Sequence, residues 1–145
     1  MKRIYVNEEW CLGCHLCEYE CAFANSGETN IVKAFKRDLK PIPRLHVEDA
    51  ENGIHFAVSC RQCEVPYCVL GCITGALSRD EQGVIHIDDN KCIGCRTCML
   101  MCPYGALTIN HNKTVTKCEL CTDNNQEPAC VQNCPNNAIV FEERE

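Results

Sequence analysis

Sixteen cysteines fall into four groups of four along a 145-residue chain, and none is left over. Cys11, Cys14, Cys17 and Cys21 follow C-x2-C-x2-C-x3-C. Cys92, Cys95, Cys98 and Cys102 repeat that spacing, with Pro103 directly after the last. Cys60, Cys63, Cys68 and Cys72 have four residues in the middle gap, and Cys118, Cys121, Cys130 and Cys134 have eight. Thiols this dense serve disulfides, zinc or iron–sulfur clusters. Cysteines three apart on one compact loop pair poorly as disulfides. Zinc ribbons use two separated C-x2-C knuckles per ion, which leaves a third cysteine three residues later without a role.

The tight spacing followed by proline is the bacterial [4Fe–4S] signature, in which the fourth cysteine ligates the other cluster of a pair. The geometry explains it. Cysteines at i, i+3 and i+6 let one short loop wrap three corners of a cube, and the next carries its sulfur toward a second cube. Gly13 and Gly94 sit inside the two tight loops, where a missing Cβ lets backbone N–H groups approach cluster sulfur. The expectation is four [4Fe–4S] clusters with all sixteen cysteines as ligands. No spare thiol then remains as a nucleophile and no Gly-rich nucleotide loop is present, so no catalytic residue is expected.

The elements that must hold these loops also repeat. "NEEWCLGCHLCEYEC" resembles "DDNKCIGCRTCMLMC", and "CITGAL", "CPYGAL" and "CPNNAI" echo one another after the fourth cysteines. Hairpins are expected around Asn52-Gly53, Gln82-Gly83 and His111-Asn112. A helix is expected over "HLCEYECAFANS", ending near Gly27. Short helices are expected after the fourth cysteines, opened by Pro103 and Pro135. Residues 22–59 contain no cysteine, a gap about twice the others, and read as an inserted loop with either a docking or a covering role, of which partner docking is favoured. Trp10, Leu16, Phe23, Val69, Met99 and Leu120 are expected to shield clusters from water. His15 reads as a surface or supporting histidine, and Arg61, Arg96 and Lys117 as charges beside the ligands.

The formal net charge is −6, and four oxidised clusters with their thiolates bring it to about −14. That sign disfavours nucleic acid. The basic run "VKAFKRDLKPIPR" is broken by Asp38 and two prolines, and reads as a solvated or partner-facing loop. The opening "MKRIYVNEEWC" has no apolar signal core, and no apolar run approaches the length of a membrane span. A soluble, cytoplasmic protein that keeps its thiols reduced is expected.

Groups spaced tight, loose, tight and loose, with an insertion after the first, resemble the four-cluster ferredoxin-like electron-transfer subunits. These serve molybdenum and tungsten oxidoreductases such as aldehyde oxidoreductases, formate dehydrogenases and DMSO-reductase-type enzymes, and also hydrogenases and carbon monoxide dehydrogenases. The resemblance implies an α+β fold: a tandem bacterial-ferredoxin-like, pseudo-symmetric arrangement of short helices, small hairpins and an inserted loop. It implies a single domain, with an outer half of residues 1–25 plus 108–145, an insertion 26–59 and an inner half 60–107.

It further implies four ligand sets. The outer half has Cys11, Cys14, Cys17 with Cys134, and Cys118, Cys121, Cys130 with Cys21. The inner half has Cys60, Cys63, Cys68 with Cys102, and Cys92, Cys95, Cys98 with Cys72. Spacing alone leaves another pairing open, of groups one with two and three with four. Ala22 and Ile73 stand where the family often has proline.

The implied role is non-catalytic relay of single electrons between a large tungsten- or molybdenum-pterin subunit, of aldehyde oxidoreductase or formate dehydrogenase type, and a second partner. That partner would be a flavin (FAD/NAD-binding) subunit or a ferredoxin. Some relatives stack into filaments. The alternatives are service to a hydrogenase or carbon monoxide dehydrogenase, a free-standing soluble polyferredoxin, and an iron–sulfur sensor.

Overall fold

A computed structural model describes residues 1–122 and 127–144 of the chain. Its elements are short: among the described residues, eight strands of three or four residues, arranged as four two-stranded antiparallel ribbons, and five α-helices. Elements this small cannot bury a large apolar core. The buried residues are instead dominated by cysteine, small alanines and a few β-branched side chains.

The first helix, α1 (Leu16–Ala24), carries Cys17 and Cys21 one turn apart, and buries both together with Ala22. The same relation recurs in α3 (Tyr67–Leu70), α4 (Thr97–Met101) and α5 (Ala129–Gln132). Each holds the third cysteine of its group, and the fourth lies at or just beyond the helix end. In groups two, three and four the helix therefore precedes the fourth cysteine, whereas sequence reasoning put it after; the helix expected over "HLCEYECAFANS" forms as α1, with Cys21 inside it. The x3 gap is itself one helical turn, which places the two thiols on one face about 6 Å apart along the axis.

In groups two, three and four a turn comes directly after the fourth cysteine. The N–H groups of Gly75, Gly105 and Asn137 donate to the carbonyls of Cys72, Cys102 and Cys134. All three residues have positive φ (68°, 61° and 51°), which a right-handed helix excludes. The repeated "CITGAL", "CPYGAL" and "CPNNAI" are thus turn sequences, and the fixed φ of Pro103 and Pro135 serves a turn as well as a helix start.

The three expected hairpins form. Strands β2 (His46–Asp49) and β3 (His55–Val58) join through Asn52 and Gly53, with φ of 71° and 74°. Strands β4 (Leu77–Arg79) and β5 (Ile85–Ile87) close over Gly83, where Asp80 Oδ1 accepts from the Val84 N–H at 2.8 Å. Strands β6 (Leu107–Ile109) and β7 (Val115–Lys117) turn on Asn110, whose Oδ1 accepts from Asn112 and Thr114.

One ribbon had no counterpart in the sequence reading. β1 (Arg3–Val6) pairs with β8 (Ile139–Glu142), register Ile4↔Phe141 and Val6↔Ile139, and buries Ile4 and Ile139. It ties the first cysteine group to the last. The helices pair accordingly: α1 packs on α5 and α3 on α4.

Residues 22–59 form a cover. They contain α2 (Ile31–Phe35) as well as β2 and β3. Leu45, Ala34 and Ala57 are buried, and Leu45 and Ala57 join the apolar cluster around Cys17, Cys21 and Cys118. Two of the five cations in the basic run are committed: Arg37 bonds Glu28 and the Ser26 carbonyl, and Arg44 pairs with Glu119 at 3.3 Å.

Candidate iron–sulfur centres

All sixteen cysteines carry free thiols, and they gather by fours. Cys11, Cys14, Cys17 and Cys134 border one small cavity, walled also by Val47, Ala138 and Ile139. Cys21, Cys118, Cys121 and Cys130 border a second, beneath Leu45 and Ile4. Cys72, Cys92, Cys95 and Cys98 border a third, against Leu77, Ile87 and Val115. Cys63 and Cys68 share the neighbours Cys60 and Cys102, so these four thiols make the remaining set. Each quartet draws three thiols from one group and the fourth from another.

Left-handed residues shape the loops. In the tight groups Gly13 and His15 have φ of 65° and 62°, and Gly94 and Arg96 have 71° and 63°. In the loose groups the residue before the second cysteine does the same: Gln62 at 48° and Leu120 at 59°. Each reversal lets the loop fold its thiols toward one centre instead of alternating them outward.

The polar surroundings suit thiolate. The N–H groups of Arg44, Leu120 and Ala138 donate to Cys21, Cys118 and Cys134 Sγ at 3.2, 3.4 and 3.2 Å. The Thr97 hydroxyl donates to Cys95 at 3.5 Å and holds that thiol below its ordinary value.

Burial works the other way on the deep thiols. It pushes Cys17 and Cys118 up to about 12 and Cys98 up to about 11, and raises Cys130 as well. A cation that demands thiolates must therefore displace their protons as it binds. Among the described residues no three His, Cys, Asp or Glu side chains converge closely enough for a single metal ion. The thiols ring cavities instead, as the corners of a polynuclear cluster require.

The remaining expectations divide. Leu120 is buried in the cluster around Cys118, and Val69 and Met99 pack around Cys98, while Trp10 and Leu16 stand exposed. His15 bonds Glu18 at 3.0 Å and faces Asp49, with its pKa raised by those carboxylates, Glu18 foremost. Arg61 stacks over Tyr104.

Sequence reasoning missed Gln62 and read Lys117 only as a charge beside a ligand, without its burial; both are fully enclosed. Gln62 Nε2 donates to the Cys118 carbonyl at 2.9 Å and its Oε1 accepts from the Ile85 N–H at 2.8 Å. Their position directly beside a cysteine was the only signal. Part of the eight-residue gap in group four, residues 123–126, lies outside the described residues.

Short helices, small ribbons and four thiol quartets define an iron–sulfur protein of ferredoxin-like type. A family profile described as a 4Fe-4S dicluster domain matches residues 52–144. An iron-sulfur protein of Rhodospirillum rubrum is 36% identical over 152 aligned positions, which span 94% of this chain and 79% of the relative. The electron transport protein HydN of Escherichia coli K12 is 33% identical over 150, spanning 92% and 83%. The thiosulfate reductase electron transfer subunit PhsB of Salmonella typhi is 37% identical over 144, spanning 93% and 72%. The chain belongs to the 4Fe-4S ferredoxin-like family of electron-transfer subunits, and its sixteen cysteines fit four [4Fe–4S] clusters.

Proposed function

We propose that this chain is a non-catalytic wire, with four cluster sites in a row between a catalytic subunit and a second redox partner. A [4Fe–4S] cluster takes up and releases one electron at a time. The protein's own work is to fix the spacing of the sites, exclude water and set the local field. The assigned ligand sets are Cys11, Cys14, Cys17 with Cys134; Cys118, Cys121, Cys130 with Cys21; Cys60, Cys63, Cys68 with Cys102; and Cys92, Cys95, Cys98 with Cys72.

The observation that carries this reading is the crossed composition of every quartet. The order along the wire rests on which thiols neighbour the next quartet. Beyond burial, Cys130 senses Cys17 of the first quartet, Cys118 senses Cys60, and Cys98 senses Cys68. The sites therefore run from Cys11/14/17/134, through Cys118/121/130/21 and Cys60/63/68/102, to Cys92/95/98/72. The packing of α1 on α5 and α3 on α4 supports two interleaved two-cluster halves, a tandem ferredoxin arrangement with residues 26–59 inserted.

For the catalytic partner we favour a tungsten- or molybdenum-pterin subunit of aldehyde oxidoreductase or formate dehydrogenase type, with a flavin subunit or a ferredoxin at the other end. The match to a thiosulfate reductase electron transfer subunit supports service to a larger oxidoreductase. A cytoplasmic setting fits sixteen unpaired thiols, and no helix among the described residues is long and apolar enough to cross a membrane. Anaerobic purification tests both levels. Iron and acid-labile sulfide should each approach sixteen per chain, and a zinc-dominated protein rejects the wire. A co-purifying chain that contains tungsten or molybdenum supports the partner, whereas nickel redirects it to a hydrogenase or carbon monoxide dehydrogenase.

A further inference from the structure

Lys117 is fully buried at the end of β7. Its ammonium donates to two backbone carbonyls, those of Ile85 and of Cys118, the latter at 2.7 Å. Among the described residues no carboxylate lies within ion-pair distance of it. Neighbouring Glu119 is occupied elsewhere, by Arg44, His86 and the Ile87 N–H.

Enclosing a lysine in this way costs several kcal/mol unless negative charge nearby offsets it. Carbonyl satisfaction does not explain the choice, because Gln62 already donates to the Cys118 carbonyl without a charge. The negative charge available is that of the cluster sites. Lys117 lies beside Cys118, whose carbonyl it bonds, and within electrostatic reach of Cys68. These belong to the second and third quartets, which meet where Cys118 approaches Cys60.

We propose that Lys117 is a fixed positive charge at the middle junction of the wire, which holds the two central clusters at higher reduction potential than they would otherwise have. The inference rests on the ligand assignment proposed above and goes beyond it. Adding an electron makes a cluster more negative, so a nearby buried cation favours the reduced form. Lys117 faces both central sites, so it raises both together and keeps the middle hop close to level. It is a positioning charge and touches no electron donor or acceptor of another chain.

The test compares three variants of the whole, cluster-loaded chain by anaerobic redox titration followed by EPR, with iron counted first. Lys117→Gln keeps a donor and loses the charge, Lys117→Arg keeps the charge, and Gln62→Leu breaks the same buried network without altering charge. Lys117→Gln should shift two of the four midpoints downward and the other two much less, while Lys117→Arg and Gln62→Leu leave the pattern near that of the unmodified protein. Four equal shifts, no shift, or the same shift in Lys117→Arg overturns the proposal. Should Lys117→Gln fail to load iron while Lys117→Arg loads fully with unchanged midpoints, the requirement for charge still holds. Failure of both to load makes the role structural and the proposal wrong. An unmodified protein lacking about sixteen iron would instead defeat the wire itself, a result read separately and beforehand.

Discussion

The backbone N–H of Arg44 donates to Cys21 Sγ at 3.2 Å across 23 residues of sequence. The inserted segment thus reaches back to a thiol that burial pushes up, and this N–H favours the thiolate. A hydrogen bond to a ligand sulfur stabilises the reduced cluster more than the oxidised one and raises its potential. Arg44→Pro removes that donor, and should lower the midpoint of the cluster assigned to Cys21. A differential of about 1 kcal/mol corresponds to roughly 40 mV for one electron. Arg44→Ala keeps the N–H and loses the partly exposed pair with Glu119 together with the weaker pull of the guanidinium on Cys21, so its midpoint should fall less. Redox titration of the two variants side by side, at equal iron content, makes the comparison.

Exchange of fourth ligands predicts reciprocal damage. Cys21 borders the cavity of Cys118, Cys121 and Cys130, and Cys134 borders that of Cys11, Cys14 and Cys17. Cys21→Ser should alter the EPR signal of the group-four cluster and spare that of group one, and Cys134→Ser should do the opposite. If Cys21→Ser instead perturbs the group-one signal alone, each group serves its own cluster and the crossed assignment is wrong.

The four cysteine groups and the three hairpins were legible in the sequence because thiol spacing and turn residues are local signals, whereas spacing did not fix which group lends its fourth thiol to which. The β1–β8 ribbon was not, since four residues of "RIYV" and four of "IVFE" have no period long enough to stand out and their pairing spans the whole chain. The helices of groups two to four lie before their fourth cysteines, not after as expected, because proline suits both a helix start and a turn; the group-one helix was legible from its sequence. The left-handed third residue, Gly75, Gly105 or Asn137, was the local sign of the turn. The covering role of residues 22–59 and the burial of Lys117 depend on tertiary contacts with no local signature.

Glu119 joins three parts of the molecule. Its Oε1 accepts from the Ile87 N–H at 3.0 Å, and Oε2 pairs with Arg44 at 3.3 Å and faces His86 at 3.6 Å. Glu119→Ala strands a part-buried N–H on β5 and frees the insertion at its anchor, which should cost about 1–3 kcal/mol. Glu119→Gln keeps the acceptor and should cost less than half as much. Anaerobic thermal unfolding followed by cluster absorbance provides the readout, and equal losses in the two variants would mean that the ion pair, not the Ile87 bond, is what matters.

The two tight loops should differ in their tolerance of a methyl group. A Cβ at Gly94 meets the Lys113 carbonyl at 2.6 Å, and one at Gly13 meets the His55 ring at 2.6 Å. Both have φ near +70° and incur about 1–2 kcal/mol of backbone strain on substitution. The neighbours decide the rest. His55 is a side chain that can swing aside at the loss of its bond to Asp49. Lys113 is itself left-handed at the tip of the β6–β7 hairpin and cannot move without opening that turn. Gly94→Ala should therefore lose the cluster of Cys92, Cys95 and Cys98 on purification, with iron falling by about a quarter, while Gly13→Ala keeps full iron and unfolds at a lower temperature. Gly27→Ala, also left-handed but with open space around it, isolates the strain alone and should leave every cluster in place. Retention of full iron by Gly94→Ala would show that the hairpin yields more readily than its hydrogen bonds imply.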